Sequence, residues 1–249
     1  MEAVRLFLFP HAGGSALMYQ SWPARFPAGW RVAALDAPGH GALMEQPPLR
    51  DGDALVAHHL DRLIPELDAS PLPFALFGHS MGALVAYELA RRLTARGRAP
   101  VWLGLSACGA PRPKGPPMSI RTRELSDDEL RDHVARLGGT PPKVLNHPGL
   151  WRHFAPVIRA DLHLVESWRP APADVRLPVP VSLFGGAKDA VVGPESLERW
   201  SERCARLVAM HVFPGGHFYF QDDLDAVARA VTTDVAAALR LSPVRAAGR

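Results

Sequence analysis

Residues 78 to 82, Gly-His-Ser-Met-Gly, set one serine between two glycines, with the apolar run "PFALFG" before it and the helix-like "MGALVAYELARRLTARG" after it. A serine on a sharp strand-to-helix turn has its Oγ lifted clear of the backbone. Glycines on either side let strand and helix approach that closely. Ser80 is therefore the candidate nucleophile. A hydroxyl is a poor nucleophile at neutral pH, so it needs a base within hydrogen-bond reach and an acid that orients the base. "HVFPGGHFYF" places His217 beyond an apolar run and after a glycine pair that lets the loop fold back, and "SLFGGAKDAVV" presents Asp189 in a loop in the same way. His79 competes as base, but the neighbour of an elbow serine points away from the Oγ. Asp36, at the end of an earlier apolar run, competes as acid; the remaining position for one, "VWLGLSACGAP", has no carboxylate.

A tetrahedral intermediate also needs N–H donors aimed at its oxyanion. The amide of Met81, just after the serine at a helix start, is one, and "FPHAGGS" offers the amide of Ala12 as the second, with His11 shaping that loop. The order Ser80, Asp189, His217 along the chain is that of the α/β-hydrolases.

Such residues need a rigid scaffold. Short, nearly continuous apolar runs recur at 4–9, 31–36, 73–78, 101–106, 179–186 and 207–213, separated by amphipathic stretches such as "GDALVAHHLDRLIPEL" and "SLERWSERCARL". Strands buried on both faces have this pattern, which predicts an α/β fold with a mostly parallel sheet flanked by helices. From about 111 to 172 no strand is evident. Instead an S-x-x-E capping box at Ser126 and Glu129 opens one helix and "LWRHFAPVIRADLHLVESW" forms another, which predicts a helical lid inserted into a single domain spanning 1–249.

The 249 residues are 47% hydrophobic with a formal net charge of +3, values of an ordinary globular chain. The arginines alternate with acids, which argues against nucleic acid. Two cysteines in apolar surroundings read as packing residues, and scattered histidines predict no metal. No signal-like start or long apolar run appears, so no membrane association and a cytoplasmic location are the expectations.

In their order, "LFLFPHAGGSA", "ALDAPGHG", "FALFGHSMGALVAYELA", "LSACGAP", "ELSDDEL", "IRADLHLVESW", "GGAKDAVV" and "PGGHFYF" resemble the stand-alone type II thioesterases of polyketide and nonribosomal peptide synthesis, over nearly the whole chain. The resemblance implies an α/β-hydrolase with a helical lid, no cofactor, and hydrolysis of acyl groups stalled on the phosphopantetheine arm of acyl or peptidyl carrier proteins. It carries the triad onto Ser80, Asp189 and His217 and the oxyanion amides onto Ala12 and Met81. One departure stands out: the family's arginine after "PG" is His40 here. Met18, Tyr19, Phe154, Val157 and Trp168 are the expected lining of an acyl channel, and Arg121, Arg123 or Arg159 the expected contacts to an acidic carrier, for a monomeric enzyme. The same triad also fits an esterase or lipase, an acyl transferase or cyclase, and its residue types argue against a hydrolase fold that only binds.

Overall fold

A computed structural model describes residues 2–110, 122–168 and 176–241, apart from the side chain of Arg123. Six strands form one parallel sheet: β1 (Arg5–Phe9), β2 (Arg31–Ala34), β3 (Phe74–His79), β4 (Trp102–Ser106), β5 (Leu177–Gly186) and β6 (Cys204–Phe213), in the order β2-β1-β3-β4-β5-β6. The central strands β1, β3 and β4 are buried at every residue, as their unbroken apolar runs require. The edges differ. β2 and β6 alternate or lie partly open, because each has a neighbour on one side only.

Helices α1 (Gly52–Asp68), α2 (Met81–Ala95) and α6 (Pro194–Glu198) alternate with the strands, and α7 (Leu224–Leu241) closes the described chain. The stretch "SLERWSERCARL" is only partly helical. α6 ends at Glu198, a 3-10 turn covers Arg199–Glu202, and β6 starts at Cys204, three residues before the expected 207. The pairing of Leu177 with Cys204 accounts for this: an apolar residue at 204 meets β5 in register, and short apolar runs suit either period.

Two apolar layers hold the sheet. One, between the sheet and α1, α2 and the 148–167 helix, includes Leu63, Leu76, Leu89, Leu103 and Trp200; the other, toward α7 and the N-terminal turns, includes Trp22, Phe77, Trp102 and Val231. Two of the buried indoles are satisfied: Trp102 Nε1 donates to Ser182 Oγ at 2.9 Å and Trp200 Nε1 to the Cys108 carbonyl at 2.7 Å.

Between β4 and β5 the described chain is helical, with α3 (Asp127–Leu137), α4 (Pro142–Asn146) and α5 (Pro148–Ser167). The Ser126–Glu129 capping box is formed in both directions at the start of α3. Leu130, Val134, Trp151, Ala155 and Ile158 make a small core of their own. The remainder of the expected 111–172 insertion, including Arg121, lies outside the described residues. Among the described residues no helix is long and apolar enough to cross a membrane.

Candidate active site

Ser80 stands between the last residue of β3 and the first of α2, with φ 55° and ψ −117°. A side chain rarely adopts such a backbone, and its cost is of order 1–3 kcal/mol. Three contacts hold it there. The Ser80 N–H donates to the Ser106 carbonyl of β4 at 2.8 Å. A Cβ on Gly78 would run into the carbonyl of Gly82, and a Cβ on Gly82 into the carbonyl of Phe9 at the end of β1. Both glycines are thus required by backbone contact, and the second brings the start of α2 against the loop that follows β1.

That juxtaposition sets the start of α2, with Met81, beside the β1 loop that leads into Ala12. Met81 is the first residue of α2, where an N–H has no intrahelical acceptor. Among the described residues neither its amide nor that of Ala12 donates to another protein group. Ala12 lines a cavity with Ser80 and His217, whereas Met81 borders a separate, smaller one with Phe9, Pro10 and His40.

Asp189 and His217 come from the loops after β5 and β6. A Cβ at Gly186 would collide with the Gly216 carbonyl, Lys188 N–H donates to the Gly215 carbonyl at 2.8 Å, and Gly215 has φ 109°. With no side chains between them, the two loops bring Asp189 Oδ2 to 2.8 Å from His217 Nδ1. Asp189 Oδ1 accepts from the amides of Val191 at 2.8 Å and Val192 at 3.0 Å. Burial pushes the Asp189 carboxyl up, yet the hydrogen bond and charge of His217 and these two amides outweigh it and hold it below its ordinary range. An ionised carboxylate only accepts, so the bonding proton sits on Nδ1, and Nε2 is the nitrogen this bond leaves unengaged. Ser80 and His217 share the cavity wall without a hydrogen bond between them, as is common before substrate binds.

The rival residues are committed elsewhere. His79 is fully buried with Nδ1 2.8 Å from Ser106 Oγ, which lies 2.7 Å from the Tyr219 hydroxyl, so its ring turns to β4 and away from the Ser80 hydroxyl. Burial, followed by the nearby His217 and His11, holds it neutral. Both oxygens of Asp36 accept backbone amides, from Ala16 at 2.6 Å and Ala42 at 2.9 Å, which makes it a turn residue. His11 is pushed down to about 3 by burial and then by His217 and His40, which makes it a much weaker base than an ordinary imidazole.

The expected acyl-channel residues are not the ones that line this cavity. Its walls are His11, Ala12, Val134, Leu137, Gly138, Thr140, Ile158, Leu162 and Phe218, besides Ser80 and His217. Tyr19 is buried with its hydroxyl on the Phe9 carbonyl at 3.2 Å, and Met18 Sδ lies 3.2 Å from His11 Nδ1, one residue behind the wall. Phe154 packs on the small core of the insertion, and Trp168 joins the main core against the start of α1, where a Cβ on Gly52 would meet its ring. Val157 precedes Ile158 and so faces about 100° away round α5. Apolar character alone does not place a residue in the wall; helix phase decides which residues of α3 and α5 line the cavity with Ser80. The i,i+4 pair Ile158 and Leu162 and the i,i+3 pair Val134 and Leu137 carried that signal. Arg159 is also occupied: it donates to the carbonyls of Thr122 at 2.6 Å and Leu125 at 2.7 Å and to Asp127 at 2.8 Å.

Comparison with known proteins agrees with this architecture. The sequence profile of the thioesterase domain matches residues 4–235. A probable cadicidin biosynthesis thioesterase of Streptomyces griseus is 36% identical over 99% of this chain, which spans 64% of that protein. Thioesterase TesA of Mycobacterium marinum is 34% identical, over 90% of this chain and 88% of its own length. The solved structure of the type II thioesterase BorB from the borrelidin biosynthetic cluster superposes with a TM-score of 0.81 at 35% identity, covering 94% of this chain and 93% of its own. With the α/β-hydrolase sheet, a serine on its strand-to-helix turn and this match over most of its length, the chain belongs to the thioesterase domain family.

Proposed function

We propose that this thioester hydrolase is a stand-alone type II enzyme that clears acyl groups from the phosphopantetheine arm of acyl or peptidyl carrier proteins, with Ser80, His217 and Asp189 as its triad. The observation that carries this reading is the 2.8 Å Asp189–His217 bond beside Ser80 in a cavity otherwise lined largely by aliphatic side chains and Phe218. His217 Nε2 takes the Ser80 proton as the Oγ attacks the thioester carbonyl. The Ala12 and Met81 amides hold the oxyanion, and Asp189 balances the imidazolium. The tetrahedral intermediate collapses as the His217 imidazolium gives its proton to the departing thiol. A thiol of pKa about 8.5 leaves far more readily than an amine, so little is demanded of the general acid. Water, deprotonated by His217, then attacks the acyl-serine, and the acid departs. The acyl chain lies along Val134, Leu137, Ile158, Leu162 and Phe218, under α3 and α5 acting as a lid. The relatives' pathway names, cadicidin and borrelidin among them, support a carrier-protein partner.

The test is intact-mass analysis of carrier proteins loaded with acyl groups of graded length. Loss of the acyl mass with wild type and its retention with Ser80→Ala are expected. Preference for a matched oxygen ester over the carrier thioester would overturn the substrate assignment.

A further inference from the structure

Asp161 lies on the buried face of α5 and is only 3% exposed. One of its oxygens, Oδ2, accepts two hydrogen bonds, from the Gly13 N–H at 2.7 Å and from His40 Nε2 at 2.7 Å. His40 is itself 5% exposed, and its other nitrogen, Nδ1, lies 3.1 Å from the Pro38 carbonyl oxygen. A carbonyl and a carboxylate are both acceptors, so a ring that bonds to both carries two protons and a positive charge. The loop after β1, the turn after β2 and helix α5 thus meet on a single carboxylate oxygen.

Gly13 follows Ala12 directly. Its φ is 76°, and a Cβ there would stand 2.7 Å from Ile158 Cγ1, so the loop sits hard against α5 with nothing between them. Fixing the Gly13 N–H fixes the peptide plane next to Ala12. The geometry points to His40 as a positioning residue: its imidazolium holds Asp161, and Asp161 holds both the Gly13 amide, hence the aim of the Ala12 N–H, and the seat of α5 above Ser80. This role rests on reading Ala12 as an oxyanion donor.

The clamp depends on the proton of His40. Burial alone would lower the ring's pKa, but the hydrogen bond to Asp161, its charge and the Pro38 and Ala37 carbonyls raise it above the ordinary 6.5. The other groups facing it do not compete. His59 from α1 and His11 from the β1 loop are both pushed down to about 3, chiefly by burial, and stay neutral. Asp36 is committed to the Ala16 and Ala42 amides, and Arg62 from α1 donates to the Asp36 carbonyl at 3.1 Å. A raised folded pKa means that the clamp is complete below pH 6.5 and is lost as pH climbs through the folded value. Activity therefore carries an alkaline limb set by His40.

Phosphonylation of Ser80 by a fluorophosphonate, followed by intact mass from mildly acidic to alkaline pH, reads the nucleophile and oxyanion hole without any natural substrate. Hydrolysis of hexanoyl-N-acetylcysteamine is measured alongside. Wild type is expected to slow on the alkaline side in both assays. His40→Arg keeps its charge at every pH, so the alkaline limb should vanish while the neutral rate is kept. His40→Gln, uncharged, should lose about tenfold or more in rate and show no alkaline limb. Superimposable profiles for wild type and His40→Arg, or a wild-type rate in His40→Gln, would overturn the assignment. If His40→Arg does not fold, nitrogen NMR of labelled histidine in the wild type decides: a His40 ring still neutral in mild acid would sink the proposal. Expected phosphonylation profiles with no thioester turnover by wild type would remove the proposed function and leave the positioning role standing.

Discussion

Ser80 combines an unfavourable backbone with a reactive side chain, and the two can be separated by substitution. At φ 55°, glycine suits the position better than serine. Ser80→Gly is therefore expected to abolish turnover while raising stability by about 1 kcal/mol, or roughly 2–4 °C in Tm for a chain of this size. A thermal scan beside the thioester assay checks both halves, and a lower Tm would show that the turn is not strained. Asp189 fixes the tautomer of His217, so Asp189→Asn should keep the fold and lose about 10³–10⁴ in kcat. The sign of its pH effect follows from the depressed folded pKa. Its contribution to stability is present above the ordinary 3.8 and fades as pH falls through the folded value, so acid unfolding curves of wild type and Asp189→Asn should draw together as pH drops below 3.8 and meet below the folded value. The residue types and chain order of the proposed triad stand out in the sequence because each member follows a strand end marked by glycine. The tie of His40 to Asp161 was not, since nothing local in "DAPGHG" or "IRADLHLVESW" shows that the two segments meet 121 residues apart.

At the scale of elements, the central strands were legible because burial on both faces leaves an unbroken apolar run, whereas the start of β6 was blurred by a neighbouring stretch that suits either period. The capping box of α3 was also legible, being a local motif. It gives a prediction that belongs to the helix. Ser126→Ala removes the acceptor for the Glu129 amide and costs α3 about 1 kcal/mol. Because α3 contributes Val134 and Leu137 to the cavity wall, the loss should appear as a raised KM for long acyl chains with kcat for short ones nearly unchanged. Equal KM changes at all chain lengths would mean that α3 does not grip the chain. Leu162→Phe tests the same wall from α5: extra bulk facing Ser80 should cut turnover of long acyl groups about tenfold or more and spare acetyl.

For the molecule as a whole, stability rests on two layers against one sheet, and the polar atoms buried in them are where it is most exposed to mutation. Ser182 accepts the Trp102 indole N–H from the adjacent strand in the second layer, far from the cavity walls. Ser182→Ala leaves that donor unpaired at a cost of about 1–3 kcal/mol, which a denaturant titration should register with kcat unchanged. A loss of activity in proportion would instead tie the sheet interior to the chemistry.

The cavity wall has two separately encoded origins. Ser80, Ala12 and His217 stand on the ends of sheet strands, whereas Val134, Leu137, Thr140, Ile158 and Leu162 belong to one continuous insert between β4 and β5. Reactivity and chain selection can therefore drift independently over generations. Grafting a relative's insert, with its own counterpart of Asp161, onto this sheet should transfer the donor's preference for acyl length while the bond-breaking machinery stays that of the host.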